Sequence, residues 1–551
     1  MSAKSMPLVC ALALFPLGAT LVFFILPYGA ALIGGGRALW ESAYIVRVAL
    51  FTVRQAALST LLALALGLPC AWLVSRESRA SALLRSVTAI PFAMPSILVV
   101  LGFVLFFGNS GWVNRFVMAI SGAKEGPLRI LYRPEAIVLA HGFYNFPLII
   151  RLVGDGLNRA RNAYAPAAAS LGASPFISNL TVLLPLALPS LISASLLVFM
   201  YSFTSFAVVL VLGGGPGATT LAVEIYRYAR LSLDMQSAGA LAGLETLIAL
   251  TVFAAYLIFE RKTRGLVSDI RDRSVEPHKQ RCSLPVNGLL VVYGLFMAAL
   301  ALGPLVSVLV ESLLYKPSRA ALPVISLRWW RALGEQSVPA LGRSLFLAFC
   351  SATVSCVLAV LAAGAAKLAD LRGTSRSAMP ALIRLFVSAP LVSSGVVLGL
   401  GYLSLYGREQ SRSLWAVCMI HAITGLPFAF NAISEGLRSL PPSVLYAAEV
   451  SGAGPLKALL TVALPLSGRR LRSAWGFSAA ISLGELNSLL ILGIDYETLP
   501  LLIYRAAGAY RYGTACAAGV LLMASCTAAL LLSETTFNKN KTFQHKQRTV
   551  Q

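Results

Sequence analysis

The sequence predicts an all-α polytopic membrane protein with about twelve transmembrane helices, arranged as two parallel repeats of six. Three observations predict this fold class. Of the 551 residues, 57% are hydrophobic and only 12% are charged, and the second half of the chain repeats the first. Soluble domains carry about 25% charged residues, so a soluble globule is not expected.

Apolar stretches long enough to cross a bilayer as helices occur along the whole chain. In the first half they lie near residues 8–33, 55–75, 87–107, 134–154, 189–212 and 236–259. In the second half they lie near residues 286–313, 344–366, 381–406, 414–434, 473–493 and 512–533. The first follows Lys4 and is too long for a signal-peptide core, so we expect a first span with a cytoplasmic N-terminus.

The most polar stretch separates the two sets of spans. It runs from Glu260 to Ser283 and carries seven Lys and Arg. The sequence therefore predicts four parts: a first transmembrane domain at 1–260, a cytoplasmic linker at 261–284, a second transmembrane domain at 285–533, and a cytoplasmic tail at 534–551.

The charge of the chain is strongly basic, with 45 Lys and Arg against 22 Asp and Glu and a net charge of +23. Such a surplus suggests either nucleic acid or an anionic membrane face. With the N-terminus inside, the cytoplasmic loops hold more Lys and Arg than the outer loops, as the positive-inside rule requires. No segment outside the apolar runs is large enough for a nucleic-acid-binding domain. We therefore expect an inner-membrane protein in contact with lipid, with both termini cytoplasmic and no nucleic-acid partner.

Catalytic and metal-binding patterns are missing from the sequence. The eight cysteines lie mostly in apolar runs, with no CxxC pair and no histidine at ligand spacing, which argues against disulfides and metal sites. No GxxxxGK[ST] phosphate loop occurs, so we expect neither an enzyme nor a cofactor. His141 and His421 are expected to pack the fourth and tenth spans, with contact to the substrate as the alternative.

The repeat is read by sliding the chain along itself by 280 residues. The matched pairs include His141 with His421, Pro147 with Pro427, Gly156-Leu157 with Gly436-Leu437, Gly172-Ala173 with Gly452-Ala453, and Leu184-Pro185-Leu186 with Leu464-Pro465-Leu466. Because each repeat holds an even number of spans, both copies enter the membrane in the same direction. The sequence therefore predicts parallel repeats that enclose a shared central path.

The best matched part of the repeat lies in the predicted cytoplasmic connections at 155–184 and 435–464. Each copy has an alanine-rich turn, a glycine and a final Leu-Pro. Glycine permits a sharp turn after a short helix, and proline favours the first turn of the next one. We expect a duplicated helix–turn–helix that projects into the cytoplasm, and a duplicated partner to match it.

These two segments resemble the EAA loop of ABC importer permeases, whose pattern is Glu-Ala-Ala-x3-Gly-x9-Ile-x-Leu-Pro. The matching runs are Pro166-Ala167-Ala168-x3-Gly172-x9-Val182-x-Leu184-Pro185 and Tyr446-Ala447-Ala448-x3-Gly452-x9-Val462-x-Leu464-Pro465. The leading Glu is replaced in both copies, so a salt bridge assigned to it cannot form here. Over almost the whole chain the sequence is similar to fused permeases of two MetI-like domains, as in iron(III) and thiamine importers. Residues 205–226 and 482–504 are most similar to the thiamine permeases.

The resemblance implies a binding-protein-dependent importer of a cationic nutrient, thiamine or its phosphates, with iron(III) as the alternative. It implies two ABC ATPase subunits that bind the ATP, and an extracytoplasmic substrate-binding protein. ATP binding would move both loops and rock the halves between inward-open and outward-open states. The implied coupling residues are Ala167, Ala168, Gly172, Leu184, Pro185, Ala447, Ala448, Gly452, Leu464 and Pro465. An ion-coupled secondary transporter with parallel repeats is the rival class, and a non-transporting receptor is a weaker one.

Two residues in the fifth and eleventh spans are candidates for the translocation path, which these spans line in the resembling family. Ser205 and Glu485 are partners under the 280-residue offset. An acid inside an apolar span is costly and therefore informative. Glu485 either faces the path or pairs with a hydroxyl or a basic residue of a neighbouring helix.

Overall fold

The computed structural model describes residues 6–33, 42–75, 79–213, 215–271, 284–316, 323–370 and 379–534. These residues form an all-α fold apart from one short hairpin. Helices suit apolar spans because a helix satisfies its own backbone N–H and C=O groups, which lipid cannot do. The hairpin follows the seventh span and pairs β1 (Leu314–Tyr315) with β2 (Val324–Ile325) in antiparallel register.

Within the described ranges, the chain up to the end of the seventh span contains thirteen α-helices. They are α1 (Met6–Thr20), α2 (Leu26–Ile33), α3 (Ala43–Val74), α4 (Arg79–Ala93), α5 (Ser96–Phe107), α6 (Trp112–Ser121), α7 (Pro134–Ser170), α8 (Pro175–Ser178), α9 (Leu184–Phe203), α10 (Ala207–Leu212), α11 (Leu221–Tyr226), α12 (Met235–Arg271) and α13 (Leu284–Glu311). Short π-helical turns lie at Leu21–Ile25, Asn179–Leu183 and Arg227–Leu231, and a 3₁₀ turn lies at Pro216–Ala218.

The second half adds twelve more α-helices within the described ranges. They are α14 (Arg328–Leu333), α15 (Ser337–Asp370), α16 (Met379–Ser388), α17 (Gly395–Ser411), α18 (Leu414–Ser439), α19 (Pro442–Val450), α20 (Pro455–Ala458), α21 (Leu464–Leu466), α22 (Gly468–Gly484), α23 (Asn487–Leu492), α24 (Leu499–Gly508) and α25 (Tyr512–Glu534). A 3₁₀ turn lies at Ala389–Val392 and a π-helical turn at Leu459–Ala463.

Fewer helices of the described chain qualify individually as spans than the twelve predicted. Ten helices of the described chain are long and apolar enough to cross a membrane, or eleven if a pair bent by 99° at 392–395 counts as one span. Each of the twelve predicted regions does contain a helix. The eleventh falls short because α22 is only 17 residues long and stops at Gly484. The sequence missed that interruption.

The predicted linker and tail lie mostly outside the described residues. Helix α12 continues to Arg271, so the first part of the predicted linker is helical. Residues 272–283 and 535–551 are not described. The domain boundaries at 260 and 285, which were placed from the sequence repeat, therefore stay a prediction.

The helices pack into two compact units whose boundaries differ from those of the two sequence repeats. One compact unit, here unit I, contains residues 35–326, and the other, unit II, combines residues 1–34 with 327–551. Each repeat thus contributes its first helix to the unit built from the rest of the other repeat. The apolar pattern gives no sign of this exchange.

Unit I is built around α3, α7 and α9. Gly67 on α3 lies against Ile149 on α7, where an added Cβ would be 2.7 Å from the isoleucine Cβ. The seventh span joins this core through Met297 and Ala301, which are completely buried. A Cβ added at Gly102 would lie 2.5 Å from the carbonyl oxygen of Pro304. Small residues therefore allow α5 and α13 to approach closely, as in other membrane helix pairs.

Unit II repeats this arrangement around α15, α18 and α22. The first span packs on α17, where the hydroxyl of Tyr402 donates to the carbonyl of Phe23 at 3.0 Å. A Cβ added at Gly401 would overlap the carbonyl oxygen of Pro27. The glycine–proline contact of unit I thus has a counterpart in unit II.

Candidate coupling loops and translocation path

The first candidate loop begins where α7 ends at Ser170. Gly172 has a φ of 80°, in the left-handed region that glycine adopts at little cost. The N–H of Ala173 donates to the carbonyl of Ala168 at 3.0 Å, and the N–H of Gly172 donates to that of Ala169 at 3.0 Å. This is the Schellman arrangement that closes a helix on a glycine.

The second loop has the same backbone. Gly452 also has a φ of 80°. The N–H of Ala453 donates to Ala448 at 3.0 Å, and that of Gly452 to Glu449 at 2.9 Å. Ala447, like Ala167 in the first loop, accepts the N–H of the residue four positions on. The sharp turn predicted at both glycines is confirmed, whereas the coupling role of these residues stays a prediction.

The chain beyond each glycine also folds alike in the two copies. A four-residue helix is followed by a π-helical turn at Asn179–Leu183 or Leu459–Ala463. The backbone stays helical through that turn and continues as an α-helix from Leu184 or Leu464. Pro185 or Pro465 comes directly after the π-helical turn, where the helical hydrogen bonding is already irregular. The helix start predicted at each Leu-Pro is therefore wrong, because the helix begins ten residues before that proline, at Pro175 or Pro455.

The helices that lead into the two loops differ. Helix α7 runs unbroken through 37 residues, whereas α18 ends at Ser439 and α19 begins at Pro442. Pro441 and Pro442 explain the break, because neither can donate a helical hydrogen bond and each disfavours a helical residue before it. A 37-residue helix is about 55 Å long, and a bilayer core is about 30 Å thick. One end of α7 must therefore leave the bilayer.

The polar residues of α7 identify the protruding end. Asp155, Asn158 and Arg159 all lie in its C-terminal half, and Asp155 pairs with Arg85 of α4 at 2.8 Å. In the other repeat, Glu435 pairs with Arg470 of α22 at 3.0 Å. All four side chains are partly exposed, so each pair is worth at most about 1 kcal/mol.

The tips of both loops expose large apolar side chains. Leu171 is 88% exposed and Val450 is 90% exposed, and Tyr446 is half-exposed. Apolar exposure is ordinary on a lipid-facing helix, but these residues lie next to glycine turns at the ends of polar helices. Exposed apolar groups outside a membrane are typical of a surface that binds another protein.

The predicted path residues both lie between the end of a long helix and the start of a short one, within an apolar run predicted as a single span. Helix α9 ends at Phe203 and α10 begins at Ala207, so Ser205 lies between them. Helix α22 ends at Gly484 and α23 begins at Asn487, so Glu485 lies in the equivalent gap. Broken helices with polar residues mark substrate sites in many transporters. The sequence missed both breaks, although the polar residue within each apolar run was a signal for them.

The Glu485 carboxylate is half-buried and already engaged. Its Oε1 accepts the N–H of Ser488 at 3.0 Å and the hydroxyl of Ser488 at 3.1 Å. It also lies against Gly395, where an added Cβ would be 2.8 Å away. The carboxylate therefore caps α23 in addition to any role toward a substrate. The hydroxyl that pairs with Glu485 belongs to Ser488, in the same predicted span, and not to the neighbouring helix that was predicted. A place on the path is untested.

The two matched histidines are almost completely buried, as expected for residues that pack the fourth and tenth spans. His141 on α7 contacts Gln55 of α3, and His421 on α18 contacts Ser482 of α22. The sequence predicted their burial but missed these partners.

The fold and the loops define a class: a polytopic, all-helical membrane protein built from a duplicated unit with a protruding loop in each copy. Residues 63–265 match the family model described as the binding-protein-dependent transport system inner membrane component. Residues 63–265 thus form a transport-permease domain of this family. The family consists of transport permeases rather than enzymes.

Individual relatives extend the match to almost the whole chain. The thiamine transport system permease protein ThiP of Brucella abortus is 28% identical over 504 residues, covering 89% of this chain and 88% of that protein. ThiP of Escherichia coli is 26% identical over 506 residues, with the same coverage. A probable sulfate transport system permease protein, cysT, of Prototheca wickerhamii is 28% identical over 204 residues, 37% of this chain and 78% of that protein. The two relatives that match both repeats are thus named for thiamine transport. The relative that matches only 37% of this chain is named for sulfate transport.

Proposed function

We propose that this permease imports thiamine or thiamine phosphates across the inner membrane, driven by two copies of an ABC ATPase subunit that bind its two loops. The observation that carries the coupling part is the pair of identically folded loops, each with a left-handed glycine and an exposed apolar tip. Relatives named as thiamine permeases support the cargo.

In this proposal the loops face the cytoplasm, as do both termini and the linker. An extracytoplasmic binding protein delivers the substrate to the opposite face. ATP binding closes the ATPase subunits, which moves the two loops and converts the permease from inward-open to outward-open. Leu171 and Val450 contribute apolar area to the docking, and the glycine turns fix the direction in which they point.

Ser205 and Glu485 contribute to the path in this proposal. A carboxylate in a low-dielectric passage favours a cationic solute and disfavours an anion. The thiazolium ring of thiamine carries such a positive charge. Because Glu485 also caps α23, the charge it offers is partly neutralised by donors, which suits a site that must release what it accepts.

The test uses a strain of the native host from which this permease is deleted. Uptake of radiolabelled thiamine is measured with and without the wild-type chain, in the presence of unlabelled thiamine phosphates, ferric citrate or sulfate as competitors. We expect uptake that depends on the chain and is reduced only by the thiamine compounds. Uptake that ferric citrate blocks would move the assignment to iron(III).

The energy source is tested separately in cells depleted of ATP or treated with an ionophore. An ABC importer stops when ATP is depleted and continues when the proton and sodium gradients are collapsed. The reverse outcome would favour the ion-coupled secondary transporter.

A further inference from the structure

We propose that His141 and His421 are positioning residues that fix the broken ends of the fifth and eleventh spans, and thereby set the place of Ser205 and Glu485. The inference rests on the proposed function in one respect, because it takes these breaks to line the path. The histidines themselves do not touch the substrate in this proposal.

In unit I the connection runs through a glutamine. The Nδ1 of His141 lies 3.1 Å from the Oε1 of Gln55. The Nε2 of Gln55 donates to the carbonyl of Ser202 at 2.9 Å. Since the amide nitrogen is the donor, the amide oxygen accepts, and Nδ1 of His141 must carry the ring proton.

Ser202 is held a second time through its side chain. The Nδ2 of Asn145, one turn after His141 on α7, donates to the Ser202 hydroxyl at 3.1 Å. Ser202 is the second-last residue of α9 and lies three positions before Ser205. The end of a helix leaves carbonyl groups without intrahelical partners, and in an apolar interior such groups need a donor. Gln55 supplies one of these donors.

In unit II the histidine reaches the serine directly. The Nδ1 of His421 lies 2.8 Å from the hydroxyl of Ser482. The carbonyl of Ser482 accepts the N–H of Glu485 at 3.3 Å. His421 is therefore linked to the backbone of Glu485 through a single residue.

The connection from a buried histidine to a serine near a helix end occurs in both repeats. The pairs His141 and His421, Ser202 and Ser482, and Ser205 and Glu485 are each separated by 280 positions. The side chains between them differ, with Gln55 in one unit and a direct contact in the other. Both units nevertheless connect a buried histidine of one span to the serine three residues before the break of another.

The two ring nitrogens of each histidine differ in their hydrogen bonding. Among the residues that the structure describes, Nε2 of both histidines has no hydrogen-bond partner. The hydrogen bonding is all on the Nδ1 side. A substitution that retains a polar group at the place of Nδ1, compared with one that retains it at the place of Nε2, therefore tests whether the Nδ1 hydrogen bond matters or only the volume of the ring.

The experiment compares His421→Asn with His421→Gln, because the asparagine amide occupies the place of Nδ1 and the glutamine amide that of Nε2. Uptake of radiolabelled thiamine is measured in the deletion strain at several concentrations, with the permease quantified in membranes. We expect His421→Asn to retain the maximal rate and His421→Gln to lower it about fivefold, the effect of one buried hydrogen bond on a conformational equilibrium. Ser482→Ala removes the same bond by a smaller change, and serves if His421→Gln does not assemble.

The second readout concerns the break itself. Ser205→Cys is combined with His141→Asn or His141→Gln, and the rate of labelling by an impermeant thiol reagent is measured with and without thiamine. The chain without Ser205→Cys gives the background from native cysteines. We expect the labelling rate to change with His141→Gln and to stay the same with His141→Asn.

The outcomes separate the two proposals. If thiamine does not protect the new cysteine in any variant, Ser205 is not on the path, and positioning is still judged by the difference in labelling between the asparagine and glutamine variants. If those two variants behave alike in both uptake and labelling, positioning is overturned while the path stands. Activity in the glutamine variants with loss in the asparagine variants also overturns it, because Nε2 would then be the functional side.

Discussion

Replacement of the loop glycines by valine is the sharpest test of coupling. Gly172 and Gly452 both have a φ of 80°, and an added Cβ at either would meet no atom within 4 Å. The substitution therefore changes backbone strain without disturbing packing. A non-glycine residue in this region costs about 1–3 kcal/mol, and β-branched valine lies at the upper end. Such a cost changes the population of the native turn roughly 5- to 150-fold per loop.

The assay measures three properties of Gly172→Val, Gly452→Val and the double variant: amount in the membrane, co-purification of the ATPase subunit, and thiamine uptake per ATP hydrolysed. We expect normal insertion, with weaker ATPase association or hydrolysis without transport, and the largest loss in the double variant. Asparagine at the same positions should be milder, because it adopts the left-handed region more readily.

Gly454 provides the matched control for this series. It lies in the same loop, an added Cβ there also meets open space, and its φ is −62°. Its counterpart in the first loop is Ser174, whose hydroxyl accepts the N–H of Ile177, so Gly454→Ser should be neutral. Full transport by the double valine variant, with its ATPase bound, would show that these loops are not the coupling elements.

Three further predictions address packing, path and topology. Gly102→Leu should lower the yield of folded permease, because an added Cβ would already lie 2.5 Å from a proline carbonyl oxygen. Gly243→Ala should not lower the yield, because its new methyl group meets open space. Equal yields of the two variants by fluorescence-detected chromatography would contradict the close packing. Glu485→Gln should keep assembly, since its amide oxygen can still cap α23, and should reduce thiamine uptake; unchanged uptake would remove the acid from the path. An impermeant thiol reagent applied from outside should label Gly215→Cys but not Arg273→Cys, and outside labelling at 273 would be incompatible with six spans before the linker.

Local features of the fold could be predicted because their causes lie within a few residues. The apolar runs specify helices, and both glycine turns follow from a glycine placed after an alanine-rich helix and before Leu-Pro. The duplication could be found from spacing alone, since the 280-residue offset brings matched residues together without a gap through both loops. These parts of the prediction hold in the structure.

The breaks in the fifth and eleventh spans could not be predicted in the same way. Hydropathy is nearly continuous across residues 189–212 and 473–493, so each reads as one helix. In the fifth span a distant side chain satisfies the freed backbone, since Gln55 reaches Ser202 from α3, and no local pattern of sequence contains that partner. In the eleventh span the partner is local, because Glu485 caps α23 by accepting the N–H of Ser488.

The sequence by itself determined that this protein is an all-helical membrane permease of two repeats with paired protruding loops. Only the tertiary structure decided which helices pack together, where the fifth and eleventh spans are interrupted, and that each repeat gives its first helix to the other unit. Apolar helix faces are nearly equivalent in hydrophobicity, so periodicity cannot distinguish one neighbour from another. The choice depends on shape at the contact, such as Gly102 against Pro304 and Gly401 against Pro27, and shape exists only once both surfaces have been formed.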